Sequence, residues 1–223
     1  MGDKRLNDLL KWSIENSDTT RKDPAASAAA ASTPSQLTPE VLSALMGGPS
    51  EADLMRAAME VIVSEEEGIS LEDKLIAFDN FEQLIENLDN ANNMANMGLW
   101  TPLLDQLTHR ERDVRRMAAW CIGTAVQNNP RTQEKLLAVG GLPPLARIAT
   151  SDQEHEDVRR KAVYALSSAV RNYQPALDLC AAELTANGHA TDQVDASNME
   201  AVDEIMNSLR EKAKTATATA AST

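Results

Sequence analysis

The sequence predicts an all-helical fold made of stacked repeats, and two observations support this. Aromatic residues are only 3% of the 223 residues, so Ala and the aliphatic residues supply most of the 43% hydrophobic share. Such a composition suits helices better than β-sandwiches. In addition, a segment that begins Asp-Val-Arg-Arg at Asp113 recurs at Asp157, and both copies continue into Ala-Val-x-Asn. A helical period of roughly 40–47 residues is typical of armadillo/HEAT repeats, which stack into a right-handed helical solenoid.

The N-terminal residues are organised differently from the repeats. A short helix is predicted over Lys4–Asn16 within an N-terminal segment of residues 1–16. Its apolar stripe consists of Leu6, Leu9, Leu10 and Ile14, with Trp12 at the margin. Residues 17–37 are rich in Ala, Ser and Thr and contain two prolines, which favours a flexible low-complexity linker. A tethered stripe of this kind either docks on its own solenoid or binds a partner, and we keep both possibilities.

Helix start signals appear after residue 38. A short helix is predicted over Glu40–Met46. Ser50 is predicted to begin a helix over Glu51–Val63, and Ser70 the next helix, which ends near Leu88. Each serine is followed three residues later by an aspartate, as in a capping box.

The repeats are predicted to end near residue 184, so that residues 38–184 form the armadillo-like domain. Residues 185–214 hold a polar stretch and a capping helix, whose apolar positions are Met199, Val202, Ile205, Met206 and Leu209. Residues 215–223 are a low-complexity tail that we expect to be disordered.

The charge balance restricts the expected partners. There are 21 Lys and Arg against 34 Asp and Glu, which gives a net charge of −13. Nucleic acids and anionic membranes both attract clustered cations, so we expect neither as a partner. Acidic residues concentrate in Glu51–Asn93, where they either keep the protein soluble or steer it toward a basic partner. Without a secretory signal, and with Cys121 and Cys180 in apolar helical patterns, a cytoplasmic protein with buried thiols is predicted.

No catalytic constellation is evident in the sequence. His109, His155 and His189 are far apart and have no partners at metal-ligand spacing. Cys121 lies in the middle of a predicted helix and has no matched histidine. We therefore predict a protein that is not an enzyme and that needs no metal or cofactor.

Polar residues recur where the long helices are predicted to end. Asn87, Asn128 and Asn172 occupy matched positions, which form a strip on the concave face if the repeats stack. Asn suits the binding of a partner's polar groups, and it also ends helices, so both interpretations stay open. The pairs Arg115-Arg116 and Arg159-Arg160 are expected to pack their stems and to pair with acids of neighbouring repeats.

Several ordered segments resemble one family. They are Leu9–Ser17, Gly47–Pro49, Lys74–Asn93, Gly98–Trp100, Trp120–Asn129 and Ala169–Tyr173. Through them the chain resembles the fungal Fes-type nucleotide exchange factors of the heat-shock protein 70 (Hsp70) chaperones, the Hsp70-binding protein family. The resemblance implies a co-chaperone whose solenoid embraces one lobe of the chaperone's nucleotide-binding domain, so that ADP leaves. It also implies that the N-terminal segment aids the release of chaperone-bound misfolded polypeptides.

The resemblance implies a chaperone-contacting surface at the Asp89–Asn93 turn, where the small Ala91 would permit close approach. We extend this surface to later repeats from the repeat geometry. The partner-binding candidates are Glu86, Asn87, Asp89, Asn90, Ala91, Asn92, Asn93, Gln127, Asn128, Asn129, Arg171, Asn172 and Tyr173. We expect a monomer, and we expect Ala91→Arg to abolish exchange while leaving helicity and melting unchanged.

The alternative function is an armadillo adaptor that binds extended peptides without exchange activity. Such grooves carry ladders of Trp and Asn, but Trp100 and Trp120 do not recur with the Asn positions. Some members of the resembled family continue with further repeats. Any contact made by those repeats would here be absent or supplied by Asn198–Lys214.

Overall fold

The computed structural model describes residues 49–215, and every regular element in that range is helical. The ten helices are α1 (Glu51–Val63), α2 (Leu71–Ile85), α3 (Leu88–Asn93), α4 (Trp100–Asp105), α5 (Arg112–Val126), α6 (Pro130–Ala138), α7 (Leu142–Thr150), α8 (Glu156–Val170), α9 (Gln174–Ala186) and α10 (Met199–Thr215). A 3-10 turn over Gln106–Thr108 continues α4. The predicted all-α, armadillo-like fold is confirmed.

Several predicted segments lie outside the described residues. They are the N-terminal segment over 1–16 with its predicted helix Lys4–Asn16, the linker over 17–37, the short helix Glu40–Met46, and the tail beyond residue 215.

The repeated segments fold into matching units of two short helices and one long helix. Helices α3 and α4 precede α5, and α6 and α7 precede α8. The long helices α2, α5 and α8 lie side by side, with the most extensive packing between α5 and α8. Equivalent apolar residues of these two helices are fully buried, namely Val114 and Val158, Ala118 and Ala162, Ile122 and Leu166, and Val126 and Val170. Each unit thus buries its apolar face against the next, as stacked repeats require.

The start of α2 follows the sequence prediction, but its end does not. Ser70 Oγ accepts a hydrogen bond from the Asp73 backbone N–H at 3.1 Å, and Asp73 Oδ2 accepts one from the Ser70 N–H at 2.9 Å. These two bonds complete the predicted capping box. The prediction that this helix reaches Leu88 is wrong, since α2 ends at Ile85 and Leu88 begins α3.

Asn87 explains the early end of α2. Its backbone is extended (φ −72°, ψ 124°), and its side-chain Oδ1 accepts from the Asp89 N–H at 2.9 Å. An asparagine that satisfies a free N–H of a first turn begins a helix. The segment from Leu88 to Asn93 is therefore a short helix rather than the predicted turn.

The terminal helix α10 packs against α8 and α7. Its predicted apolar stripe is largely correct, because Val202, Ile205, Met206 and Leu209 are buried, whereas Met199 is half-buried.

Arg159 of α8 ties the end of α10 to the repeats. Its side chain is fully buried and donates to the carbonyl oxygen of Ala213 at 2.6 Å and to that of Lys212 at 3.5 Å. The last carbonyls of a helix have no partner within the helix, and a cation is favoured at that end. The expectation that Arg159 pairs with acids of a neighbouring repeat is therefore wrong.

The two cysteines are buried and unbonded to each other, as predicted. Burial raises the pKa of the Cys180 thiol to about 12, and it raises the pKa of the Cys121 thiol well above its ordinary value. Both thiols therefore stay protonated and unreactive at neutral pH. Between residues 49 and 215, no helix combines the length and apolar character that crossing a membrane requires.

Candidate partner interface

The predicted partner-binding residues follow the C-terminal ends of the long helices α2, α5 and α8, and they differ in exposure. The exposed ones are Glu86, Asn87, Asp89, Gln127, Asn128 and Asn172, and the half-buried ones are Asn92, Asn93, Arg171 and Tyr173. Asn90, Ala91 and Asn129 are buried. Among these candidates, only the exposed and half-buried side chains can meet a partner without a rearrangement of the protein.

Asn128 and Asn172 have a structural role that follows from their backbone conformation. They have φ angles of +53° and +57°, in the left-handed region, two residues after the last helical residue of α5 and of α8. Asparagine tolerates this conformation better than most residues. Here it forms the turn that ends each helix, in which the Asn129 and Tyr173 N–H groups donate to the Val126 and Val170 carbonyls at 3.3 and 3.2 Å. The helix-ending interpretation therefore holds at these two positions, while their exposed side chains stay available to a partner. It does not hold at Asn87, which begins α3.

Two of the predicted residues hold α3 in place. Asn90 Nδ2 donates to Glu51 Oε2 at 2.7 Å and to the Leu84 carbonyl at 2.9 Å, which joins α3 to α1 and α2. Ala91 is only 1% exposed and belongs to the hydrophobic core. An arginine at Ala91 has no room there and would place a charge among apolar side chains. Because Ala91 is buried, we now expect Ala91→Arg to lower the melting temperature instead of leaving it unchanged.

Arg171 is engaged by the terminal helix. Its guanidinium forms an ion pair with Asp203 of α10 and donates to Ser167 Oγ at 3.2 Å. Its backbone carbonyl accepts from Gln133 Nε2 at 3.0 Å, which joins α6 to the end of α8. The charge of Arg171 is thus largely neutralised by α10 instead of being free for a partner.

Side chains that the sequence analysis did not single out link the long helices to one another. Thr124 Oγ1 donates to Glu82 Oε1 at 2.7 Å, between α5 and α2. The Tyr164 hydroxyl donates to Gln127 Oε1 at 3.1 Å, between α8 and α5. These bonds fix the spacing of the layer and the orientation of Gln127, which is one of the exposed candidates.

A half-buried cation also lies between α5 and α8. Lys161 Nζ is 3.6 Å from the centre of the Trp120 ring and 5.8 Å from that of Tyr164. Burial, with a smaller contribution from the charge of Arg116, lowers the pKa of Lys161. The attraction of the ammonium to the two ring faces offsets part of this cost.

Gly123 is the sequence signal that would have located the close approach of α5 and α8. A Cβ atom at Gly123 would lie 2.4 Å from Tyr164 Cε1 and 3.2 Å from the Ala165 Cα. A glycine inside an amphipathic helix often marks such a close approach of a neighbouring chain segment.

The first residues of α5 pair with acids of the next repeat, as predicted for the Arg115-Arg116 pair. Arg115 Nε contacts Glu154 Oε2 at 2.6 Å, and Arg116 Nε lies 3.7 Å from Asp157 Oδ2. Burial acts to raise the pKa of Glu154, but the hydrogen bond and charge of Arg115 outweigh it, so this pKa is lowered. These arginines are engaged within the protein at the opposite end of the layer from the candidate residues.

The histidines show no catalytic arrangement. His109 Nδ1 accepts from the Glu111 N–H at 3.0 Å in the turn before α5, and burial is the main cause of its lowered pKa. Within residues 49–215, no group of three or more His, Cys, Asp and Glu side chains is placed to hold a metal ion.

Comparisons with known proteins cover both the first helices and the repeats. A family model described as nucleotide exchange factor Fes1 matches residues 6–94, and a model described as the SIL1/FES1/HPBP1 C-terminal domain matches residues 90–180. The Gibberella zeae protein called Hsp70 nucleotide exchange factor FES1 is 69% identical over 213 residues, which are 95% of this chain and 98% of that protein.

More distant relatives differ in length. The Neurospora crassa Hsp70 nucleotide exchange factor fes-1 is 50% identical, and the match covers 96% of this chain and 100% of the Neurospora protein. The Scheffersomyces stipitis FES1 protein is 45% identical over 77% of this chain, which spans only 57% of that relative.

Proposed function

Because the chain belongs to the Fes1 family of nucleotide exchange factors, we propose that it is a co-chaperone that binds the nucleotide-binding domain of an Hsp70 chaperone and promotes ADP release. The observation that carries this proposal is the 69% identity to an Hsp70 nucleotide exchange factor over nearly the whole length of both chains. The armadillo-like layer of long helices supplies the rigid surface that such an interaction needs.

Exchange of this kind needs no covalent step, only a coupling between two ligands of the chaperone. If the protein binds the open, ADP-free chaperone more tightly than the closed one, it weakens ADP binding by the same factor that ADP weakens its own binding. A difference of about 1–3 kcal/mol between the two affinities changes ADP binding by roughly 5- to 150-fold. No nucleotide needs to touch this chain.

The contact surface that we propose lies at the C-terminal ends of α2 and α5, where Asp89 and Gln127 are exposed. Two features support it. Its side chains are held by a rigid layer, and the acidic residues of α1 and α2 would steer the protein toward a basic patch of the chaperone. Helix α10 neutralises Arg171, so we assign the end of α8 a smaller part in the contact.

Two buried thiols suit a cytoplasmic location, and we propose that the protein acts there as a monomer.

Release of fluorescent ADP from a cytosolic Hsp70 tests the function. With excess ATP in a stopped-flow instrument, the wild-type protein is expected to accelerate release about tenfold or more.

Asp89→Arg combined with Gln127→Arg is expected to remove most of this acceleration, because it reverses charge and adds bulk on the proposed surface. Asp152→Arg is the control for the Asp-to-Arg charge reversal, since Asp152 is exposed in the loop before α8, at the opposite end of the layer. If both variants behave as wild type, the surface assignment fails, and no acceleration by the wild type contradicts the function itself. Binding without acceleration would instead favour the peptide-binding adaptor.

The N-terminal segment is proposed to aid the release of misfolded polypeptide from the chaperone. We expect removal of residues 1–35 to leave ADP release within about twofold of wild type and to slow the dissociation of a labelled peptide substrate, because the exchange contact lies on the repeats. Both rates are measured with the same chaperone preparation. An equal loss of the two activities would contradict this division of roles.

A further inference from the structure

An open cleft of about 240 Å³ lies where α3, α4 and α6 meet. Asn92 from the end of α3, Trp100 from the start of α4, and Arg131 and Lys135 from α6 line it. The cleft therefore adjoins the candidate residues that follow α2, and Asn92 belongs to both.

Unpaired polar atoms concentrate at this junction. In the described part of the chain, five buried side-chain nitrogen or oxygen atoms have no hydrogen-bond partner, and three of them are Asn92 Oδ1, Trp100 Nε1 and Asn129 Nδ2. Trp100 is only 2% exposed, and Asn129, which begins α6, is 4% exposed. Nearly all buried polar groups in folded proteins are paired, so the unpaired atoms of Asn92 and Trp100, which both line the cleft, indicate a place where a ligand completes the bonding.

The charges beside the cleft favour an acceptor-rich ligand. Arg131 and Lys135 are one turn apart on α6, and neither forms an ion pair with any residue between 49 and 215. They stand out in a protein whose net charge is −13. The nearby Glu134 balances only one of the two cations.

We infer that this cleft binds a carboxylate side chain of the protein partner, which on the function proposed above belongs to the Hsp70 nucleotide-binding domain. The two cations attract the carboxylate. The Trp100 indole N–H, which is covered in the free protein, donates to one of its oxygens once the side chains over it move aside. Rotating the Asn92 side-chain amide by about 180° exchanges the positions of its oxygen and nitrogen, so that the N–H groups can donate to the same carboxylate.

Single charge reversals test the cleft with a matched control. Affinity for nucleotide-free, full-length Hsp70 is measured by titration calorimetry at low and at physiological ionic strength. Arg131→Glu is expected to weaken binding about tenfold, and the loss should shrink as salt screens the interaction. Arg147→Glu is the control, because Arg147 of α7 is exposed, likewise forms no ion pair within the described residues, and makes the same change in net charge.

Trp100→Phe tests the indole N–H separately from the charges. Phenylalanine keeps most of the apolar ring and removes the donor, so affinity should fall several-fold in protein that remains folded at the temperature of the titration. A purely structural role for Trp100 would lower the melting temperature and leave the affinity unchanged.

The results separate this inference from the function on which it rests. Wild-type exchange activity together with unchanged binding by Arg131→Glu and Trp100→Phe would overturn the cleft assignment alone. An equal loss in Arg147→Glu would also overturn it, because it would show a general charge effect. If the wild-type protein does not bind Hsp70, the proposed function fails and the cleft assignment fails with it.

Discussion

Arg159→Ala is expected to lower the free energy of unfolding by about 3 kcal/mol, because it removes a buried cation with two carbonyl partners. The carbonyls of Lys212 and Ala213 would lose their donor, and the removed side chain would leave a cavity between α8 and α10. Urea unfolding followed by circular dichroism measures the change, and hydrogen exchange should show α10 opening first.

The neighbouring arginine is the control for this variant. Arg160 is exposed, and its Nη1 lies 3.5 Å from Glu156 Oε1 in a surface ion pair. Arg160→Ala should therefore lower the free energy of unfolding by about 0.5 kcal/mol or less. Arg159→Met retains the apolar stem, and its cost should lie between those of the two alanine variants. If Arg159→Ala costs no more than Arg160→Ala, the buried guanidinium does not anchor the terminal helix.

Gly123→Ala is expected to destabilise the protein by about 2 kcal/mol, although alanine is normally the better helix former. The added Cβ would lie 2.4 Å from Tyr164 Cε1 and 3.2 Å from the Ala165 Cα, so either the ring must turn or α5 and α8 must separate. Turning the ring would break the hydrogen bond from Tyr164 to Gln127 and weaken the contact with Lys161.

A double-mutant cycle identifies the clash as the cause. The double variant Gly123→Ala/Tyr164→Ala should lose clearly less unfolding free energy than the two single variants lose together, because removing the Tyr164 ring leaves room for the added Cβ. Gly68→Ala is the control, since a Cβ there meets no atom within 4 Å. A stabilising effect of Gly123→Ala would contradict the close approach of the two long helices.

Much of the fold was predictable because its signals are local. The capping box at Ser70, the repeated Asp-Val-Arg-Arg segment and the apolar stripe of α10 each specify a helix from residues close together in sequence. The pairing of Arg116 with the next repeat was also predictable, because Asp157 repeats Asp113 at the repeat period. The end of α2 was not, because Asn87 suits a helix start as well as a helix end.

The candidate surface was predictable only in position along the chain. Matched residues after α5 and α8 share the left-handed conformation that ends a helix, as the repeat suggested. Which of the neighbouring side chains are buried depends on helices distant in sequence. Asn90 turns inward because it finds Glu51, 39 residues away, and Arg171 is neutralised by α10.

The amino-acid sequence by itself determined the helical repeat and the family, since periodicity and ordered motifs are properties of the chain. The tertiary structure alone decided that Ala91 is in the core, that Arg159 anchors the last helix, and that Arg131 and Lys135, which form no ion pair within residues 49–215, line one cleft with Trp100. The physical reason is that burial and hydrogen-bond satisfaction depend on which helices pack together, and side chains of the same type pair differently when different helices surround them.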